Sequence, residues 1–312
     1  MASLRDIKSR IKSIKNTQKI TQAMKMVAAA KVKKAENKVK ESRPFSAELA
    51  RSFKILMKAK PQIANSNIKT SKAIENYPVL LEEREIKSVG ILVVTSDKGL
   101  AGAYNANVIR RAANRVKELL GEGKDVKVNI VGSKGIIALK RELARTNAEI
   151  VRTYSKLPAI PTAGSASVIA EDLAELFVER KIDKIEIITT KFRSMLSYRV
   201  EVWDILPVVF DAELEEKQDT KPEIPKPIMI FEPTTEAVLQ KIVPLYVSNS
   251  VYQALVEAAA SELAARMQAM GNATTNANDM IQRLTIVYNK SRQASITQEI
   301  MEVVGGAEAL RG

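Results

Sequence analysis

Asn16–Lys40 reads NTQKITQAMKMVAAAKVKKAENKVK, 25 residues with neither glycine nor proline. Alanine and lysine dominate it, residues that lose little side-chain freedom in a helix. The stretch predicts a helix, and the pattern reaches outward from it. Upstream, Leu4, Ile7, Ile11 and Ile14 follow 3-4-3 spacing, and an apolar set resumes at Ile20, Met24 and Val27 after a slip of phase, as in a coiled-coil seam. Downstream only Pro44, in ESRPFSAE, interrupts helical composition before Lys58; it predicts a kink or break, and Lys60-Pro61 predicts the end. Such a helix extends about 80 Å at ~1.5 Å per residue, so it requires a partner along its length.

The far end of the chain supplies one. From EPTTEAVLQKIVPLY onward the composition is again helical, with Thr234 or Thr235 as cap, Pro244 as a kink and Gly271 as a weak point. Ala277, Ile281, Leu284 and Tyr288 follow 4-3-4 spacing and continue through Ser291 and Ser295. Two seams too narrow to bury themselves predict antiparallel pairing of the two ends.

Between them the period changes. SVGILVVT (Ser88–Thr95), DVKVNIVG, AEIVRTY and IDKIEIITTKF read as strands, separated by helices over Ala103–Leu120, about Ser133–Arg145 and about Ser165–Arg180; SYRVEVWDILPV adds a further strand. This alternation predicts a mostly parallel sheet covered by helices. The predicted fold class is α/β plus α: a long antiparallel coiled coil of the N- and C-terminal helices attached to a central Rossmann-like α/β domain. The predicted division is 1–60 for the first helix, 61–87 for a loop-rich connector, 88–232 for the α/β domain with a charged, proline-bearing excursion near 211–227, and 233–312 for the last helix.

Composition narrows the chemistry. The 312 residues include no cysteine and no histidine, which excludes disulfides, thiolate nucleophiles, imidazole bases and the usual zinc sites. No stretch approaches the roughly 18 apolar residues of a membrane span, and MASLRDIKSRIKSIK lacks the apolar core of a secretory signal, so a soluble intracellular chain is expected. The net charge of +13 is concentrated: residues 1–60 carry 17 Lys/Arg against 4 Asp/Glu, while the rest of the chain carries 32 of each. An excess placed on one helix favours an acidic partner.

Few motifs speak for catalysis. TSDKGLAGAYN (Thr95–Asn105) sits where phosphate-binding loops occur in open α/β sheets, but it matches no phosphate-loop pattern, and Gly99 and Gly102 fit a tight turn. GSKG (Gly132–Gly135) reads likewise, with Ser133 as a cap. Asp97–Lys98, Glu171–Asp172 and Glu215–Glu216 read as surface charges. The methionines of AMKMVAAAK and ARMQAM read as packing. YNKSRQASITQE is different: Arg292, Gln293 and Thr297 are polar residues that want partners, and Ile296, Ile300, Val303 and Val304 form an apolar end that is costly to leave exposed.

Taken together, NTQKITQAMKMVAAAK, TSDKGLAGAYN, SELAARMQAM and YNKSRQASITQEI resemble the γ-subunit family of rotary proton-translocating ATP synthases, over nearly the whole chain. The resemblance implies a central shaft inside a ring of alternating α and β subunits, with the α/β domain standing on the membrane c-ring beside the ε subunit. By motif, it implies that Met24 and Lys25 meet an acidic loop of the β subunit, that Arg292, Gln293 and Thr297 make polar catch contacts, that Arg266 to Met270 face the lower shaft, and that the end containing Ile300 and Val304 turns in an apolar collar. No catalytic, cofactor or metal site, no nucleic acid and no direct small-molecule substrate are implied.

Two departures stand out: Lys98 and Ala101 occupy positions where the family often has Arg and Cys, and the 211–226 segment is short and Cys-free, which suggests a respiratory or fermentative bacterial source. The competing readings are a basic coiled coil on nucleic acid, weakened by the lack of interleaved aromatics in the first 60 residues, and a nucleotide-dependent α/β enzyme using Thr95–Asn105.

Overall fold

The computed structural model describes residues 3–58, 72–207, 232 and 234–309. The predicted helix end at Lys60-Pro61, residues 61–71 of the predicted 61–87 connector, the 211–227 excursion and Glu215–Glu216 lie outside the described residues. Two compact units emerge, Met1–Ala30 with Arg266–Gly312 and Lys31–Ala265.

Helix α1 runs over Leu4–Lys58. Its start is fixed by a reciprocal cap in which the Asp6 N–H donates to Ser3 Oγ at 3.2 Å and the Ser3 N–H donates to the Asp6 carboxylate at 3.1 Å. The predicted break at Pro44 does not occur, and the helix passes through it. Proline removes one donor, the one that would serve the Lys40 carbonyl, but buried Val39, Leu49 and Phe53 anchor the turns on either side. Packing of an apolar face outweighs the local cost.

After a 3-10 turn at Ala73–Glu75 and the single-turn helix α2 (Tyr77–Leu80), the chain alternates: β1 Ser88–Val94, α3 Tyr104–Gly121, β2 Asp125–Val131, α4 Ser133–Leu143, β3 Glu149–Tyr154, α5 Ala163–Val178, β4 Lys184–Ser194 and β5 Ser197–Leu206. The sheet order is β3-β2-β1-β4-β5 and its pairing is parallel except for the β4–β5 hairpin, so the mostly parallel sheet is as predicted, while the order and the hairpin are findings of the structure. β1 is central and buried along its whole length, which is why it reads as one continuous apolar run rather than an alternation.

Each sheet face has its own core. One collects Val89, Ile91 and Val93 with Val108, Val116 and Leu119 of α3 and Leu139 of α4. The other collects Leu92, Ile185 and Ile187 with Ile169, Leu173 and Phe177 of α5, Phe53 and Leu56 of α1, and residues from Leu239 to Ala258 of the last helix. That helix, α6, spans Thr235–Ala309 and continues through Pro244, Gly271 and the Gly305-Gly306 pair. Thr234 is its cap, accepting from the Ala237 N–H at 3.2 Å.

Candidate partner interface

The turn after β1 is closed on itself. Asp97 Oδ1 accepts from the Ser133 N–H at 2.9 Å and the Ser133 hydroxyl at 2.8 Å, and Asp97 Oδ2 accepts from the Lys156 N–H at 2.9 Å. Gly135 N–H donates to Thr95 Oγ1 at 3.0 Å and Lys134 N–H to the Ser96 carbonyl at 3.1 Å. The first donors of α4, where a phosphate would bind in a nucleotide fold, are thus taken by this chain's own oxygens. Ser133 does not cap α4; it donates to Asp97 instead. Glu171 accepts from the N–H groups of Ala73 and Ile74, and Asp172 accepts from the Tyr154 hydroxyl and pairs with Arg152, so this acidic pair braces α5 against its neighbours.

The first unit is an antiparallel helix pair. Gln18 Nε2 donates to Asn278 Oδ1 at 2.7 Å, and Thr274 Oγ1 donates to Thr21 Oγ1 at 2.8 Å, so a step forward on α1 is matched by a step back on α6. On α6, Met270, Ala277, Ile281, Leu284, Tyr288, Ser291 and Ser295 turn inward relative to their neighbours, as the 4-3-4 spacing predicts.

On α1 the phase differs from the prediction. Leu4, Ile7, Ile11 and Ile14 lie in the seam, which then continues through Gln18, Thr21, Met24 and Ala28. Ile20 is 60% exposed and Val27 57%. The physical reason is rotational: Thr21 stands one heptad beyond Ile14, whereas bringing Ile20 inward would turn the helix by about 100°. The polar seam residues are tolerated because they bond one another across it.

The predicted site residues separate accordingly. Met24 is half-buried in the seam and Met270 is 5% exposed. Lys25 is exposed, and its stem passes over Gly271, with Cε 3.6 Å from where a Cβ would stand. Arg266 is half-buried. Arg292, Gln293 and Thr297 are exposed on α6, with Thr297 Oγ1 donating to the Gln293 carbonyl at 2.9 Å. Ile300 and Val304 are exposed, as is every residue from Ile296 to Ala307. Counting outward from Gln18–Asn278 places Leu4 near Arg292, so this last stretch of α6 runs past the start of α1.

Two surface features escaped the sequence reading. Exposed Ile20, Met26 and Val27 on α1, and Met280, Ile286 and Val287 on α6, form outward apolar strips, legible only once the seam phase is carried through polar positions. Arg5, Lys8, Lys12, Lys15 and Lys19 repeat at 3-4-3-4, one residue after each seam position, and line a groove floored by Ile11 and Gln18 of α1 and Asn278 and Ile281 of α6. This surface offers positive charge and apolar contact together, a combination suited to an acidic partner.

The sequence profile of a family described as "ATP synthase" matches residues 3–310. The chain is 42% identical to an ATP synthase gamma chain of Synechococcus sp. (strain JA-3-3Ab) and 44% identical to one of Nostoc punctiforme, in each case across 99% of this chain and 100% of the relative. Among solved structures it is similar to a chain of the Tetrahymena thermophila mitochondrial ATP synthase central stalk and c-ring, at 25% identity and a TM-score of 0.58 over 81% of this chain and 99% of that one. It shares the fold of a chain in the Euglena gracilis mitochondrial ATP synthase, with a TM-score of 0.64 at 18% identity over 98% of this chain and 94% of that one. No comparison supports the nucleic-acid reading.

Proposed function

The chain belongs to the ATP synthase gamma-chain family, and on that premise we propose that it is the non-catalytic central-stalk rotor subunit, transmitting torque between a proton-driven c-ring and catalytic β subunits and influencing ATPase regulation. The observation that carries this reading is the antiparallel helix pair, whose outer surface is basic along one side and apolar along another. One shaft must face three equivalent β subunits in turn, and screened, low-specificity contacts serve that better than interlocking ones.

In this reading α and β subunits surround the first unit, with Lys25, Arg292, Gln293 and Thr297 as polar contacts and the end containing Ile300 and Val304 in an apolar collar. Exposed Ile20 and Val27 join that surface, whereas Met24, Arg266 and Met270 support it from within or beside the seam. The ε subunit and c-ring contact the α/β part of the chain. The proposed division remains 1–60, 61–87, 88–232 and 233–312. No helix among the described residues is long and apolar enough to cross a membrane. From its family, we propose that it is a peripheral subunit at the cytoplasmic face of a bacterial plasma membrane.

Co-expression with α and β subunits tests this reading. We expect a large complex with ATPase activity and ATP-driven rotation of this chain, and no ATP binding by the chain alone. Stoichiometric ATP binding by the isolated chain, or failure to enter the complex, would overturn the assignment.

A further inference from the structure

Three elements of the second unit meet at one polar point. Arg43 of α1 donates from Nε to Glu257 Oε1 at 2.8 Å and from Nη2 to Glu257 Oε2 at 2.9 Å, a two-pronged geometry that fixes orientation as well as distance. The same Nη2 donates to the Phe192 carbonyl on β4 at 2.5 Å, and the Phe192 N–H donates to Glu257 Oε2 at 2.7 Å. The Glu257 side chain is 2% exposed.

The network extends along both helices. Gln253 Nε2 donates to Glu257 Oε1 at 2.9 Å, Ser46 Oγ to Gln253 Oε1 at 3.3 Å, and Asn249 Nδ2 to Ser46 Oγ at 2.8 Å. From the sheet, Thr189 Oγ1 donates to the Ala254 carbonyl of α6 at 2.9 Å. Apolar helix contacts are non-directional and permit small sliding, whereas bonds with fixed directions on three elements resist both sliding and rolling.

We propose that the Arg43–Glu257 pair, seated on the backbone of Phe192, is the torsional lock through which load passes between the α1/α6 helices and the five-stranded sheet. The lock rests on the rotor reading above. Its members are positioning residues: within the second unit they hold the α1 and α6 segments at a fixed angle to the sheet while chemistry proceeds in another subunit.

The test uses the assembled complex with its catalytic ring fixed to a surface. Because the chain contains no cysteine, Val168→Cys on the exposed face of α5 gives this subunit a single bead-attachment point. Angular variance is recorded while the motor waits for ATP. Glu257→Gln is expected to widen that variance at least twofold with ATPase activity within twofold of the parent. Thr189→Val removes one sheet-to-α6 bond at nearly constant volume; it is expected to widen the variance by a smaller factor and serves if Glu257→Gln does not assemble.

Glu186→Gln is the control. Glu186 is as buried as Glu257 and is bonded by Arg115 of α3 at 2.8 and 2.7 Å, but these bonds do not reach α1 or α6. Equal widening by Glu186→Gln and Glu257→Gln, or no widening by either Glu257→Gln or Thr189→Val, would overturn the lock. A parent complex that never rotates overturns the rotor reading, and the lock with it, so the two failures are distinguishable.

Discussion

Helix α6 passes through two environments. Between Val251 and Ala265 almost every side chain is buried, including Glu257 and Ser261, whereas from Arg266 to Ala307 only Met270 and Ala277 are buried. α1 shows the same contrast: Val32, Ala35, Val39, Phe53 and Leu56 are fully enclosed, while the stretch from Leu4 to Ala30 buries only Ile7, Thr21 and Ala28. The covalent helix is continuous, yet the two stretches are specified differently. In the second unit the identity of each side chain matters because cavities and unpaired groups are costly. In the first unit the rotational phase matters, since a single seam decides which residues face outward.

Expected mutational costs follow that contrast. Phe53→Ala removes a fully buried ring stacked on Tyr246, with centroids 5.5 Å apart, and should lower stability by about 3–5 kcal/mol in denaturant unfolding. Gly132→Ala should cost about 1–3 kcal/mol by the same measurement: its φ is +95°, and a Cβ would stand 2.4 Å from the Thr95 carbonyl oxygen. In the first unit the sign reverses. Gln18→Leu with Asn278→Leu should stabilise the helix pair by about 1 kcal/mol while loosening its register, read by cross-linking between helices. Gly271→Ala should stabilise by about 0.5–1 kcal/mol in thermal unfolding, because a Cβ there meets only the flexible Lys25 stem at ordinary distances.

The smallest expected effect is the most diagnostic. Ile20→Ser should change folding stability by less than about 0.5 kcal/mol while weakening association with the partner ring. A loss above about 1 kcal/mol would put Ile20 in the seam and refute the helix phase described above.

Much of the architecture was legible because its signals are local. The β1, β2 and β4 runs, the helices between them and the 4-3-4 seam of α6 all follow from apolar periodicity. The α1 seam was misread where Gln18 and Thr21 carry it, since periodicity counts apolar residues and cannot see two polar side chains bonding across an interface. Of the kink or break expected at Pro44, the break does not occur, because the burial that holds the helix together is supplied by partners distant in sequence, such as Tyr246 against Phe53. The Arg43–Glu257 contact was invisible for the same reason: 214 positions separate its members. Of the interface, Arg292, Gln293 and Thr297 were legible as unpartnered polar residues, but the outward set containing Ile20 and Val27 depends on the phase and was lost with it.

The carboxylate of Asp97 has a consequence for how this chain lives beside nucleotide. An α/β sheet with an open helix terminus is a standing invitation to anions, and any subunit of an ATP-handling assembly meets them constantly. By supplying its own anion, tethered and permanent, this sheet removes the vacancy for which dissolved phosphates would compete. The start of α4 is thereby closed to them, whatever their concentration around the chain.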